Sequence, residues 1–367
     1  MLKYLNKVIF HPVYIKNLIK LKIEILPPKK SDILIYDEES NRAGYPKILF
    51  KNIKKTSFHN RFEKINLFIL FKSLIFKKFN NLKKNYVYYY FSYVKPKIVY
   101  TSIDNNPAFF LLKYIYPNAK YIADQNSTRN NNFYNYCLNQ IRKKKKKFIC
   151  DYYFVFGGYE YERLKKIIDG KIIIAGNSRN NFITIKKQKK QKIITYISSK
   201  IRRRLFLEKK IFSKLIIFCK KFNYKLFFLD RPNQNNKNYL ISIFGKGNWK
   251  YVQYKNNYIK YKLLSKSKLI AFAHSTLGYQ FLSRGSRCIS FNHNYYNYSN
   301  SFNIKKTGKY WCSPNKYRNV ETKLLEILNY TNSEWKSIVK LFVKKILFYD
   351  NDNKQKKKII NTILNNE

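Results

Sequence analysis

Residues 274–285 gather side chains suited to holding a phosphate. His274, Ser275, Thr276, Gly278 and Gln280 follow an apolar run and are closed by Arg284 and Gly285. The run LIAFA (269–273) reads as a buried strand, and the small hydroxyl residues after it open a helix. A helix N-terminus leaves backbone N–H groups free and carries about half a positive charge, so it suits an oxyanion. Ser275 and Thr276 can add hydroxyl donors, Gly278 can admit a ligand close to the backbone, and Gln280 can bond a ribose or sugar hydroxyl. His274 can stabilise a leaving phosphate, or sit as a satisfied core residue at the end of an apolar strand. The plainer alternative is that Ser275 caps the helix and Gly285 terminates it.

Other polar clusters stand at similar exits. Asp104, Asn105 and Asn106 follow the strand-like KIVYTSI (97–103). A strand-end carboxylate such as Asp104 can take the proton of an acceptor hydroxyl, or the trio can be an Asx-rich helix cap. Gln125, Asn126 and Arg129 follow KYIAD (120–124), and Arg129 can hold a phosphate or carboxylate or lie on the surface. Gly157 and Gly158 follow DYYFVF and allow close approach of a ligand, or only a tight turn. Ser198 ends KIITYI, with Arg202, Arg203 and Arg204 just beyond, where they can meet a pyrophosphate or begin a solvated basic helix. Asp230 and Arg231 end KLFFLD at the same edge.

The elements that position these groups form a regular series. Short β-rich runs alternate with helical patterns of 10–15 residues, which predicts βαβ units and parallel sheets. Asn106 followed by Pro107 predicts an α-helix over AFFLLKYIY, and Gly170 predicts the end of a helix over 159–168. Residues 184–191, polar and basic, read as a linker. The expected fold class is α/β, with two Rossmann-like domains facing across a cleft. Residues 1–185 form an acceptor-side domain and 192–330 a donor nucleotide-binding domain. Residues 331–367 are C-terminal helices packing partly back on the first domain. In open parallel sheets ligands bind beyond the carboxyl ends of strands, which is where these clusters stand.

The 367 residues carry 75 Lys and Arg against 20 Asp and Glu, a formal net charge of +55. That charge invites a nucleic-acid or anionic-membrane reading. Lys outnumbers Arg 62 to 13, and Asn, Ile, Tyr and Phe are heavily used while Ala, Gly and Pro total 26. AT-rich codons yield this composition, so much of the charge reflects nucleotide bias. Arg, the better bidentate partner for phosphate, is scarce. No RNP, KH, zinc-finger or helix-turn-helix signature supports specific nucleic-acid binding. The five cysteines show no CxxC pairing, and Cys150, Cys219 and Cys288, in or beside apolar runs, read as core residues. No Walker motif, nucleophile elbow or Asp-x-Asp metal motif is present, so no cofactor and no metal are expected. No signal peptide or membrane span is legible. The expected setting is cytoplasmic, with peripheral contact at an anionic inner membrane face open to it.

The segment STLGYQFLSRGSRCISFN (275–292) resembles the donor-nucleotide segment of GT-B-type glycosyltransferases. More closely, it resembles a family of O-antigen and surface-carbohydrate biosynthesis proteins, whose members typically carry Ser-Thr-Leu-Gly-Tyr-Glu. Gln280 stands where that family has Glu, which keeps an acceptor and loses the charge. PKIVYTSIDNNPAFFLLKYIYPNAKYIADQNSTR (96–129), the strand–helix–strand of 151–181 and the helix of 333–353 extend the resemblance over most of the chain. Ser127 and Thr128 depart from the family's Gly and apolar residue. The resemblance implies a GT-B-like, metal-independent glycosyltransferase. It would transfer a sugar from a nucleotide-sugar donor, as substrate, to a lipid-linked or saccharide acceptor in building O-antigen or another surface polysaccharide. Glycerophosphate transfer and nucleotide-sugar epimerisation on the same fold stay open, as do a basic nucleic-acid-binding protein and a non-catalytic member.

Overall fold

The structure, a computed structural model, describes residues 21–365 apart from 62, 130, 187, 199–200, 231–235, 254–255, 274, 292–308 and 313–318, and omits the side chains of 201–208 and 257. In the first half, strands β1 (Lys22–Glu24), β2 (Ile33–Ile35), β3 (Lys55–Ser57), β4 (Lys64–Asn66), β5 (Ile98–Thr101), β6 (Lys120–Asp124), β7 (Phe148–Val155) and β8 (Ile168–Ile174) appear. They alternate with helices α1 (Glu38–Arg42), α2 (Tyr45–Leu49), α3 (Leu67–Ile75), α4 (Leu82–Val94), α5 (Asn131–Lys144), α6 (Gly158–Leu164) and α7 (Ser178–Phe182). The second half has β9 (Gln191–Ile197), β10 (Lys225–Leu229), β11 (Trp249–Val252), β12 (Ser267–Phe272), β13 (Cys288–Phe291) and β14 (Trp311–Cys312). Its helices are α8 (Ile201–Lys221), α9 (Lys237–Phe244), α10 (Asn257–Lys266) and α11 (Thr276–Ser283), then α12 (Val320–Asn329), α13 (Asn332–Lys345) and α14 (Lys354–Asn365).

Two parallel sheets result, each six-stranded. The first runs β3-β2-β5-β6-β7-β8 and the second β11-β10-β9-β12-β13-β14. Parallel strands covered by helices on both faces must be apolar on both, and they are. Ile33, Ile35, Ile98, Tyr100 and Ile122 bury into one side of the first sheet, while Leu34, Val99, Tyr121 and Ala123 bury into the other. Side-chain alternation along each strand makes that division. In each sheet the first strand of the series is flanked on both sides, β2 between β3 and β5 and β9 between β10 and β12. The chain reverses direction across the sheet there, which opens a crevice beyond the strand ends.

The last three helices tie the halves together. Phe342 of α13 stacks on Tyr279 of α11, and the Trp335 indole donates to the Gly285 carbonyl at 3.1 Å. The chain then returns to the first domain, where the Phe348 amide donates to Phe156 O at 2.7 Å. Ile360 of α14 completes the core face formed by Ile33, Ile35 and Ile98. Gly157 permits this return, because a Cβ on it would lie 2.6 Å from the backbone of Ile346. It therefore serves chain packing, in place of the ligand approach expected of it.

Two local expectations change. The segment after Pro107 forms a 3-10 helix, Phe109–Tyr114, instead of an α-helix. It is confined between Pro107 and Pro117, and the tighter turn buries Phe109, Phe110 and Leu112 together. Gly170 lies inside β8 rather than ending a helix. Its φ of +146° faces a register shift between Ile149 and Tyr152 of β7, an irregularity that suits glycine. All five cysteines are buried and none forms a disulfide, which includes Cys150, Cys219 and Cys288, the three read as core residues.

Candidate functional site

The crevice of the second sheet lies between the ends of β9 and β12. Ser198 follows β9 directly. It is buried, and its hydroxyl oxygen has no hydrogen-bond partner. Across the crevice, Ser275 and Thr276 begin α11, and Ser275 takes the N-cap position without a side-chain capping bond. The Gly278 amide donates to Ser275 O at 3.1 Å, but no first-turn amide of α11 is met by the Ser275 side chain, and this end of the helix carries the positive end of its dipole. A buried hydroxyl without a partner beside an uncapped helix start is a polar arrangement that an oxyanion completes.

Gln280 is buried one turn further along. Its carboxamide oxygen accepts from the Tyr261 hydroxyl at 2.6 Å, so the amide nitrogen is the group left to meet a ligand. Gly278 has a different role from the one expected. A Cβ there would lie 2.2 Å from the Phe272 ring, so the glycine brings α11 down onto β12. His274 and Arg231 lie outside the described residues. Arg202 is placed in α8, but its side chain is among those not described. The residue before Arg231, Asp230, is buried and accepts from Asn236 at 2.9 Å and from the Tyr251 hydroxyl at 2.8 Å.

Strand-exit segments of the first domain meet α10 and α11. Arg284, at the end of α11, donates to Asn180 Oδ1 at 2.7 Å and to Ile183 O at 2.6 Å. Its guanidinium lies over the rings of Tyr261 and Tyr349, at 5.1 and 4.8 Å. Asn180 Nδ2 also donates to Ser283 Oγ at 3.3 Å. Lys260 of α10 is nearly buried, and burial with the Arg179 charge pushes its pKa down to about 8. Arg179, Lys260 and Arg284 thus place cationic groups around Tyr261 where the two domains touch.

On the first domain, Asp104, Asn126 and Arg129 assemble as their strand exits suggest, but Asp104 is no open base. It is fully buried. One carboxylate oxygen accepts from the Tyr153 hydroxyl at 2.7 Å and Arg129 Nε at 3.1 Å. The other accepts from the Asn126 amide at 3.3 Å and from the second arm of the Arg129 guanidinium. With both oxygens bonded to donors, the carboxylate is tied into a network, and it shapes the loop 125–129 instead of presenting a lone pair to a substrate. Arg129 also donates to Asn126 Oδ1 at 3.1 Å. Gln125 uses its amide internally, accepting from the Phe156 amide at 2.7 Å and donating to Ser127 O at 3.0 Å. Asn106 forms an Asx turn to the Ala108 amide at 3.1 Å, and Asn105 is exposed.

Two groups in this domain were not legible beforehand. Glu160, in the first turn of α6, is fully buried, and burial pushes its pKa up to about 8. Its Oε1 accepts from the Arg129 amide at 3.4 Å, while Oε2 has no hydrogen-bond partner. The only sequence signal was its position after Gly157-Gly158, where a first-turn acid suits the helix dipole. Lys356 of α14 is the other. Its ammonium is wholly buried against Asp124, 232 residues away, at 2.8 Å.

Glu160 sets a pH-dependent test. The unfolded carboxyl ionises near 4.5, whereas the folded one keeps its proton to about 8. Between those values the unfolded state binds fewer protons, so stability falls as pH rises through that window. Glu160→Gln removes the effect. Relative to wild type, the variant's melting temperature is expected to climb between about pH 5 and about pH 8, reflecting a gain on the order of a few kcal/mol. Parallel melting curves at every pH would show that Glu160 is already ionised in the folded protein.

Residues 204–364 match the family described as "putative O-antigen biosynthesis protein". No curated protein matches the chain by sequence. Among solved structures, a "putative UDP-N-acetylglucosamine 2-epimerase" from Listeria monocytogenes is similar over 93% of this chain and 98% of its own, at 12% identity and a TM-score of 0.57. MnaA of S. aureus, solved with UDP, covers 92% and 96% respectively, at 13% identity and a TM-score of 0.57. The wall teichoic acid polymerase TagF is similar over 100% of this chain and 96% of that chain, at 13% identity and a TM-score of 0.50. At these identities the likeness is one of fold: two parallel-sheet, Rossmann-type domains in a GT-B-like arrangement.

Proposed function

We propose that this chain is a glycosyltransferase of surface-polysaccharide (O-antigen) assembly. The crevice between β9 and β12 holds a nucleotide sugar, and the first domain presents a lipid-linked or saccharide acceptor. The observation that carries this reading is the buried Ser198 hydroxyl without a partner, at the end of the strand that pairs with β12, whose own exit leads into α11 without a side-chain cap. The family match over residues 204–364 supports a role in surface-carbohydrate synthesis, and it spans α11. The similar structure of MnaA was solved with UDP, which favours a uridine nucleotide as the first donor to try.

Transfer on such a frame rests on stabilising a departing phosphate. The α11 dipole supplies one source of positive potential, and Arg179 and Lys260 at the domain contact supply another. A diphosphate near Lys260 would oppose the burial and repulsion that now depress its pKa, so the ammonium becomes fully charged as the donor binds. Asp104 contributes by positioning the loop 125–129 through Arg129 and Asn126. His274 keeps its candidacy beside the leaving phosphate on sequence grounds alone.

Epimerisation is the second reading, favoured by the similarity to UDP-N-acetylglucosamine 2-epimerases. The products separate the two. An epimerase interconverts a nucleotide sugar without an acceptor, while a transferase releases free nucleotide only when an acceptor is present.

The test is thermal denaturation with a panel of nucleotides and nucleotide sugars, repeated for Ser275→Ala/Thr276→Ala. A ligand at about 100 times its Kd stabilises the fold by about 2.7 kcal/mol. One nucleotide is expected to shift the wild type and not the variant. If none shifts either protein while RNA or DNA does so at physiological salt, the reading fails.

A further inference from the structure

Outside the cleft, the first domain carries an unusual surface. Helix α3 shows its buried side, Ile69 and Ser73, to the domain, and Phe68 packs edge-on against Tyr93 of α4 at 5.0 Å. Its other side is apolar as well. Leu67, Phe71, Leu74 and Ile75 fall at i, i+4, i+7 and i+8, a single helical stripe, and all are exposed, Phe71 by 65%. Phe76 continues the stripe. Strand β1 packs beside α3, and Asn66, which caps α3, donates to Leu26 O at 2.7 Å. That places exposed Ile25 and Leu26 next to the stripe, Leu26 being 79% exposed. Nine of the seventeen exposed large apolar side chains among the described residues fall between Ile23 and Leu82, so this is a concentrated patch and not the ordinary scatter.

The charge around the patch is mainly positive, with Glu24 of β1 paired to Lys64 at 2.6 Å. Residues 64–103 contain eight lysines and no Asp or Glu. Lys77 is exposed immediately after Phe76, and Lys83 and Lys84 are exposed at the start of α4. Lys72, within α3, lays its stem along the aromatic rings, with its ammonium 4.9 Å from the Tyr93 ring and 5.3 Å from that of Phe68. A protein partner for so apolar a face would leave these lysines to be paired one by one. A sheet of anionic headgroups neutralises them together while the acyl boundary receives Phe71, Leu74 and Leu26. Among the described residues no helix is long and apolar enough to cross a membrane.

We infer that the face formed by α3 and the adjoining β1 segment docks the protein onto an anionic lipid bilayer, with the apolar stripe entering the interface and the lysines meeting headgroups. The surface is distinct from the nucleotide crevice, and the inference does not depend on which group is transferred.

Vesicle co-sedimentation of the full chain tests this. The probes are phosphatidylcholine vesicles with and without phosphatidylglycerol. Wild type is expected to bind the mixed vesicles and to bind pure phosphatidylcholine weakly. Phe71→Ser/Leu74→Ser, which alters only exposed side chains, should weaken binding by about tenfold or more, because two apolar insertions are lost. Lys77→Glu/Lys84→Glu should remove most of the preference for phosphatidylglycerol. Melting temperatures and nucleotide-induced shifts should stay at wild-type values in both variants, which separates this result from any failure of the nucleotide reading. The inference is overturned if wild type does not bind, or if Phe71→Ser/Leu74→Ser binds as wild type does and salt alone abolishes binding. It is equally overturned if wild type is a dimer in solution that Phe71→Ser/Leu74→Ser converts to monomer, since the face would then belong to a second copy.

Discussion

Lys356→Met is expected to destabilise the protein by about 3–5 kcal/mol, read as a lowered urea midpoint. The ammonium is fully buried and donates to Asp124 Oδ1 at 2.8 Å, Gly176 O at 2.8 Å and Ser178 Oγ at 2.7 Å. Asp124 Oδ2 also accepts from the Tyr100 hydroxyl at 3.0 Å. Removing the cation leaves a buried carboxylate without its countercharge, and the desolvation of that charge is then uncompensated. The consequence is not local. Lys356 lies on α14, which covers one face of the first sheet, and the neighbouring Asn353 donates to Ser178 O at 2.9 Å. The C-terminal helix should therefore detach before the sheets melt, and it should become the first site of proteolysis in the variant. Adding Asp124→Asn to Lys356→Met should recover part of the loss, because no lone charge then remains. A single variant within about 1 kcal/mol of wild type would mean that the pair is solvated in the folded protein.

Gly278→Ala is expected to damage both stability and the crevice proposed to hold a nucleotide. The added methyl would lie 2.2 Å from Phe272 ring atoms, well inside contact distance, and Phe272 is itself fully buried in β12. Neither side can yield cheaply, so overpacking should cost about 1–3 kcal/mol. The relief available is for α11 to lift off β12, and that carries away the helix start at the crevice. A displacement on the order of 1 Å at such a site can lower a reaction rate by about 100-fold. The discriminating measurement is a double-mutant cycle. On a Phe272→Ala background the ring is gone, and Gly278→Ala should add little further loss of stability or nucleotide binding. Additive effects would show that Gly278 is needed for its own contact with a ligand, the role first expected of it.

These two residues mark where reading the chain in one dimension succeeds and where it stops. Gly278 was visible as a glycine in a helix that follows a strand. Its neighbour Phe272 is only six positions away, yet whether the glycine faces a ligand or a ring depends on how α11 crosses β12. Lys356 had no distinguishing context at all, being one of 62 lysines in a tail that looks merely basic. Glu160 was similarly silent, because its raised pKa comes from burial, which no local pattern encodes. Asp104 was found for the right position and given the wrong environment. Asp104 follows β5, but Arg129, in the loop after β6, and Tyr153 of β7 occupy its oxygens. The scarce arginines illustrate the same point. Arg287 donates to the carbonyls of Ile327, at 2.8 Å, and Leu328, at 2.6 Å, closing the end of α12 instead of meeting a phosphate.

What the sequence determined alone is the part governed by short-range pattern. Apolar runs such as Ile33–Ile35, Ile98–Thr101, Lys225–Leu229 and Ser267–Phe272 are too short for buried helices and alternate with longer amphipathic stretches. Two parallel sheets with polar exits follow from that spacing. The positions of Ser198 and Ser275 at strand exits follow too, whereas the pairing of β9 with β12 comes from the fold. The tertiary structure alone decided which of the many polar side chains are left without partners. Ser198 keeps a free hydroxyl in the crevice, while Asp104, Gln125 and Asp124 are consumed by internal bonds. Hydrogen bonds and charges act over a few ångströms whatever the separation along the chain. A buried group's chemistry is therefore set by neighbours that only the completed fold brings within reach.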